Sequence, residues 1–149
     1  MDTEPKGRFW IGPVISAAQA RRIIAVTGWL FVAMGVVVLL TSLPLVRAGG
    51  RSLGAALGVS LLFSVPAGFL LAMKSRAAAI VLIAMSAISV LGGLSFAAKY
   101  LADRPAMAVG GLIGVLFWAI LGALAWRAFR AAAALRRLAG TAEAVRTFD

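Results

Sequence analysis

The chain has 149 residues, of which 62% are hydrophobic and 13% are charged, and its mean hydropathy is +1.01. Soluble domains are roughly half apolar and about one quarter charged, so this composition indicates a membrane protein. The chain contains no cysteine and no histidine, which excludes disulfides, thiolate–zinc sites, bis-histidine haem and Ser-His-Asp catalysis. We therefore expect no metal and no other cofactor.

Four apolar runs are long enough to cross a bilayer, because a helix needs about 20 residues to span a core of ~30 Å. None of the four contains a charged side chain. The connections between them are short, which predicts that neighbouring helices run antiparallel. The predicted fold is an all-α, four-helix antiparallel transmembrane bundle at residues 23–126. The predicted spans are 23–46, 53–73, 77–98 and 105–126.

The basic residues predict how the chain is oriented. Of the 15 lysines and arginines, 11 fall on the side that carries both termini and four on the other. Because positive charge collects on the cytoplasmic side, we expect both termini in the cytoplasm. The net charge of +10 is explained in this way without nucleic acid. Abundant alanine and arginine favour a bacterial source, and hence the inner membrane.

Punctuating residues predict where the helices begin and end. Ser16 and Gln19 have the spacing of a capping box, so the first helix should begin before the bilayer. Pro44 is expected to end it. Pro105 is expected to open the fourth helix, and Gly140 to close it.

A proline interrupts the second span. Pro66 has no N–H, so the carbonyl of Leu62 loses its helical partner, which is costly in hydrocarbon unless a neighbour supplies a donor. By depth, the candidate donors are Ser89, Ser86 and Trp118. We interpret the proline as a packing bend, and the alternative is a broken helix that opens a substrate site.

Small residues at four-residue spacing form stripes on three of the spans. Such stripes let helix backbones approach each other closely. They can serve packing within the chain, or contact with a partner helix or a second copy. The candidate helix-packing residues are Gly54, Gly58, Gly93, Gly110, Gly114 and Gly122.

The two ends of the chain are expected to meet the cytoplasmic side of the membrane. Residues 1–22 form a cytoplasmic segment with an interfacial foot, and residues 127–149 form a basic, amphipathic helical extension. Aromatic and arginine side chains of this kind contact headgroups or a partner. The candidate residues for contact with anionic lipid headgroups or a partner are Trp10, Trp126, Arg127, Arg130, Arg136 and Arg137.

Few function classes fit this composition. Proton coupling generally needs an ionisable group within the membrane, and the five acidic residues form no paired arrangement in the sequence. We therefore expect a non-enzymatic accessory, assembly or scaffold subunit that acts through helix packing. The alternative is a channel, a holin-like pore or a facilitative transporter for a neutral or lipidic solute.

Overall fold

A computed structural model of the chain describes residues 12–14, 16–50 and 52–148, and beyond residue 139 it describes the backbone alone. Four α-helices make up this part of the chain, and each is long and apolar enough to cross a membrane. The prediction of an all-helical protein with four candidate spans is confirmed. The helices are α1 (Ala17–Arg47), α2 (Leu53–Met73), α3 (Arg76–Tyr100) and α4 (Pro105–Phe148).

Serine side chains begin the first three helices. The hydroxyls of Ser16, Ser52 and Ser75 each accept a hydrogen bond from the backbone N–H three residues further on, at 3.1, 3.1 and 3.4 Å. Each bond satisfies one of the orphan donors at a helix start. The predicted cap at Ser16 is therefore confirmed, and α1 begins six residues before the predicted span.

The two predicted helix ends at Pro44 and Gly140 are wrong. α1 runs through Pro44 to Arg47, since a proline in the last turn removes only one backbone bond. The chain then turns at Gly49, whose φ is +74°. α4 continues through Gly140 to Phe148. Glycine lowers helix stability by only about 1 kcal/mol, and the alanine-rich residues around it favour helix.

The helices pack as two hairpin pairs. α1 packs mainly against α2 and α3 mainly against α4, while the α1–α4 contact is smaller and the α2–α3 contact is the smallest. Contacts between α3 and α4 advance along one helix as they recede along the other, so the two run in opposite directions. The pairs are Gly93–Val115, Ala97–Gly111 and Ser86–Gly122.

Small residues allow the close approach of α1 and α2. The Ser60 hydroxyl is buried and donates to the Gly35 carbonyl at 2.8 Å. One turn from Ser60, the Phe63 ring stacks on Trp118 of α4, with ring centroids 5.0 Å apart. One buried serine and one aromatic contact therefore lie on the face of α2 that meets α1 and α4.

The core extends to the end of the structure where α1 and α3 begin. We call this the basic end, and it includes residues 127–137 of α4. Ala128, Ala131 and Ala132 are buried there, in one apolar cluster with Ala20 and Ala79. The first part of the predicted extension is therefore packed against the other helices.

Candidate functional site

Neither of the two predicted hydroxyl donors, Ser86 and Ser89, bonds to the Leu62 carbonyl that Pro66 leaves without a helical partner. α2 is continuous through Pro66. The hydroxyls of Ser86 and Ser89 donate to the Leu82 and Met85 carbonyls, each at 2.9 Å. A hydroxyl has one proton, so in this arrangement neither serine donates to the carbonyl four residues before the proline.

Trp118 is likewise committed to other contacts. Its ring stacks on Phe63, the neighbour of Leu62, and meets Phe117 edge-on at 5.7 Å between centroids. Leu62 itself is 57% exposed and lies on the outer surface of α2. Trp118 therefore lies beside α2 at the height of Leu62, as the depth argument requires, but it contacts the Phe63 ring and not the Leu62 carbonyl.

An apolar cavity of about 280 Å³ adjoins the proline. It lies between the last turns of α2 and the first turns of α3, where the two helices make their small contact. Val65, Pro66 and Phe69 line it from α2, and Ala77 and Val81 line it from α3. The proline thus borders a gap between the two hairpins, which only an apolar group would fill favourably.

Two of the predicted packing glycines are used within the chain. A methyl group at Gly93 would lie 2.8 Å from a side-chain carbon of Val115, and one at Gly122 would lie 3.3 Å from Cβ of Ser86. Both glycines therefore allow α3 and α4 to approach each other closely.

The other four predicted packing glycines face open space. A methyl group at any one of them would meet no atom of the described residues within 4 Å. Gly54 and Gly58 belong to α2, and at 100° per residue they lie opposite the buried face that carries Ala56, Phe63 and Ala67. The four are Gly54, Gly58, Gly110 and Gly114.

Sequence reasoning missed the small residues of α1. A methyl group at Gly28 would lie 2.5 Å from Cγ of Leu71, and one at Gly35 would lie 2.9 Å from the Ser60 carbonyl oxygen. Ser42 is also buried. These three residues recur every seven positions, and that spacing keeps them on one face of a packed helix. A search at heptad spacing, and not only at four-residue spacing, would have found them.

The arginines of the extension take different positions at the basic end. Arg127 donates to the Gly12 carbonyl at 2.7 Å and so ties the N-terminal segment to α4. Arg130, Arg136 and Arg137 are exposed. Trp126 is 54% exposed and stacks on Phe129, with centroids 5.5 Å apart. Trp10 lies outside the described residues.

Arg76 joins this group from α3, although no pattern in the sequence places it beside Phe129. Its guanidinium carbon lies 4.7 Å from the centre of the Phe129 ring. Arg76, Arg130 and Arg137 line one pocket of about 490 Å³ together with Pro13 and other residues. No periodicity in the sequence brings residues 13, 76 and 130 together, because the contact depends on how three segments pack.

Comparisons with protein-family models, with curated proteins and with solved structures give no match. The features that bear on function are therefore those of the chain itself. They are an open glycine face on α2, a second on α4, an apolar gap at the proline and an arginine-lined pocket. The first three are suited to contact with helices or lipid chains, and the fourth to an anion.

Proposed function

We propose that the protein is a non-enzymatic accessory or assembly subunit of a membrane complex, which acts by packing its helices against a partner helix or a second copy. Four helices cross the membrane as an antiparallel bundle, with both termini in the cytoplasm of a bacterial cell. The observation that carries this proposal is the unoccupied pair Gly54 and Gly58 on the outward face of α2.

The open pair matters because of how helices associate in lipid. Lipid chains are as apolar as leucine, so helices gain little by hiding apolar surface from them and depend on close van der Waals packing. Glycines four residues apart create a shallow groove that permits such packing. Among the described residues, no atom lies within 4 Å of a methyl group placed at Gly54 or at Gly58, which supports contact with a helix from another chain.

The same face of α2 continues toward the proline. Val65 and Phe69 share it with Gly54 and Gly58 at 100° per residue, and both line the apolar gap. Because α2 makes only a small contact with α3, a partner helix at the groove would also reach this gap. The face therefore offers a groove at one end and an apolar recess at the other.

The test replaces both glycines by isoleucine. We expect G54I/G58I to insert normally but to lose a partner or a second copy, with at least about tenfold weaker association, which corresponds to a loss of ~1.4 kcal/mol in binding free energy. Native mass spectrometry of the purified complex and quantitative proteomics of co-purifying proteins measure it. Retention of the wild-type partners and oligomeric state in G54I/G58I would contradict the proposal.

A119I/A123I is the matched control. Ala119 and Ala123 are also four residues apart and exposed, and they lie on the side of α4 opposite Gly110. The control places the same two isoleucine side chains on a lipid-facing surface without closing a glycine groove. We expect it to retain every partner.

The channel or facilitative transporter remains a second candidate because of the apolar gap beside Pro66. A path for a neutral solute would have to include this gap, so Ala77→Leu, which fills it, should slow passage. Proteoliposomes that swell in glycerol no faster than protein-free vesicles would exclude glycerol passage.

A further inference from the structure

The arginine-lined pocket at the basic end is built from three separate segments. Pro13 and Val14 contribute from the N-terminal segment, Arg76 from the first turn of α3, and Phe129 and Arg130 from α4. The bond from Arg127 to the Gly12 carbonyl holds the first of these segments in place. Arg137 adds a third guanidinium to the lining.

Arg76 is the least exposed of the three arginines. Its guanidinium lies over the Phe129 ring at 4.7 Å, a cation–π contact that fixes the plane of the group. Its Nε is buried, and among the described residues it has no hydrogen-bond partner. An unsatisfied buried donor is costly, so a bound acceptor that reached Nε would remove that penalty.

No described acidic side chain lies beside Arg76 or Arg130 in the pocket. The only acidic side chain described is that of Asp103, which lies in the turn between α3 and α4 at the opposite end of the molecule. Guanidinium groups match phosphate geometrically, since their planar donors can bind two oxygens at once. The pocket therefore favours a phosphate group over a simple halide.

Its position favours a phosphate that is attached to lipid. The pocket lies beside the first turn of α3, where the apolar part of that helix begins, and Val14 and Leu138 give it apolar walls. Basic pockets between helices at the membrane surface bind anionic headgroups. We propose that this pocket binds the phosphate of an anionic phospholipid such as phosphatidylglycerol, with Arg76 and Arg130 as its main ligands.

The test uses the purified full chain in neutral detergent. The probes are short-chain phosphatidylglycerol, short-chain phosphatidylcholine and inorganic phosphate, and native mass spectrometry counts the bound molecules. We expect preferential binding of phosphatidylglycerol, weakened at least about tenfold in R76Q/R130Q, because each arginine near anionic lipid contributes on the order of a fivefold gain in affinity.

R21Q/K74Q is the charge-matched control. Both residues are exposed at the same end, and neither lines the pocket. We expect this variant to keep its affinity for phosphatidylglycerol within about twofold. Equal losses in the two double variants would show a general effect of net charge and overturn the site.

Further outcomes keep the proposal falsifiable. Arg130→Gln alone changes an exposed side chain, so it tests binding even if R76Q/R130Q does not fold, and wild-type affinity in it would overturn the role of Arg130. Displacement of the lipid by equimolar inorganic phosphate would assign the pocket to free phosphate instead. G54I/G58I should keep its lipid, so failure here is distinguishable from failure of the proposed helix contact.

Discussion

Gly35 lies where α1 meets the backbone of α2. Its carbonyl accepts the Ser60 hydroxyl at 2.8 Å, and a methyl group in its place would lie 2.9 Å from the Ser60 carbonyl oxygen and overlap the Ser64 hydroxyl. A side chain can rotate away from such an overlap, but a backbone oxygen cannot. An added carbon would therefore separate the two helices.

We expect Gly35→Ala to lower the free energy of unfolding by about 1–3 kcal/mol, which is the usual cost of overpacking. Thermal or denaturant unfolding in mild detergent measures it. Gly54→Ala is the control, because it brings the same gain in helix propensity, up to ~1 kcal/mol, at a position with open space. If the two variants unfold alike, the close approach at Gly35 does not contribute to stability.

At the level of single residues, the sequence indicated which residue types allow close packing but not where they face. Gly54 and Gly93 have the same four-residue pattern, yet one faces outward and the other contacts Val115. Apolar residues surround both helices on all sides, because lipid and protein interior are equally apolar. The pattern that separates an inner from an outer face in a soluble helix is therefore missing.

Among the elements, α2 continues without a break through an internal proline. Pro66 leaves the Leu62 carbonyl without its helical partner, and the two nearby serines donate elsewhere. We expect Pro66→Ala to restore that bond and to raise the free energy of unfolding by up to ~3 kcal/mol. Unfolding of the variant in detergent, followed by circular dichroism, measures it.

Pro105→Ala provides the comparison. Pro105 is the first residue of α4, where no intrahelical partner is lost, so its replacement should change stability little. A Pro66→Ala variant that unfolds more easily than wild type would show that the packing around Val65 and Phe69 has adapted to the ring.

Helix starts were predicted better than helix ends, for a physical reason. A serine cap satisfies a donor locally, so the sequence carries the signal at the position itself, as at Ser16. Pro44 and Gly140 only weaken a helix. Whether the helix then stops depends on the residues beyond, and the alanine-rich stretch around Gly140 continues it.

For the whole molecule, the distribution of charge predicts opposite sides of the membrane for two sites. The chain has no native cysteine, so Gly50→Cys and Ala139→Cys each introduce a single thiol. We expect a membrane-impermeant thiol reagent added to intact cells to label the first and not the second, because 11 of the 15 basic residues lie on the side of Ala139. Labelling of Ala139→Cys alone would reverse the orientation.

The pocket at the basic end shows what one sequence leaves undetermined at this scale. Arg127 and Gly12 are 115 positions apart, and Arg76 and Phe129 belong to different helices. The number of helices follows from local composition, whereas these contacts follow from the register of α3 against α4. That register depends on small residues such as Gly93 and Gly122, whose partners the sequence alone does not specify.

The division into two hairpins has a consequence for how the protein is made. During translation α1 and α2 are synthesised before α3 and α4, and only a short connection separates them. The Gly35–Ser60 contact can therefore form before α3 is synthesised. The second hairpin then forms in the same way, because the two most extensive helix contacts, α1 with α2 and α3 with α4, are between neighbours in the chain. The bond between Arg127 and Gly12 joins a residue of α4 to one that precedes α1, so it can form only after α4 has been translated as far as Arg127.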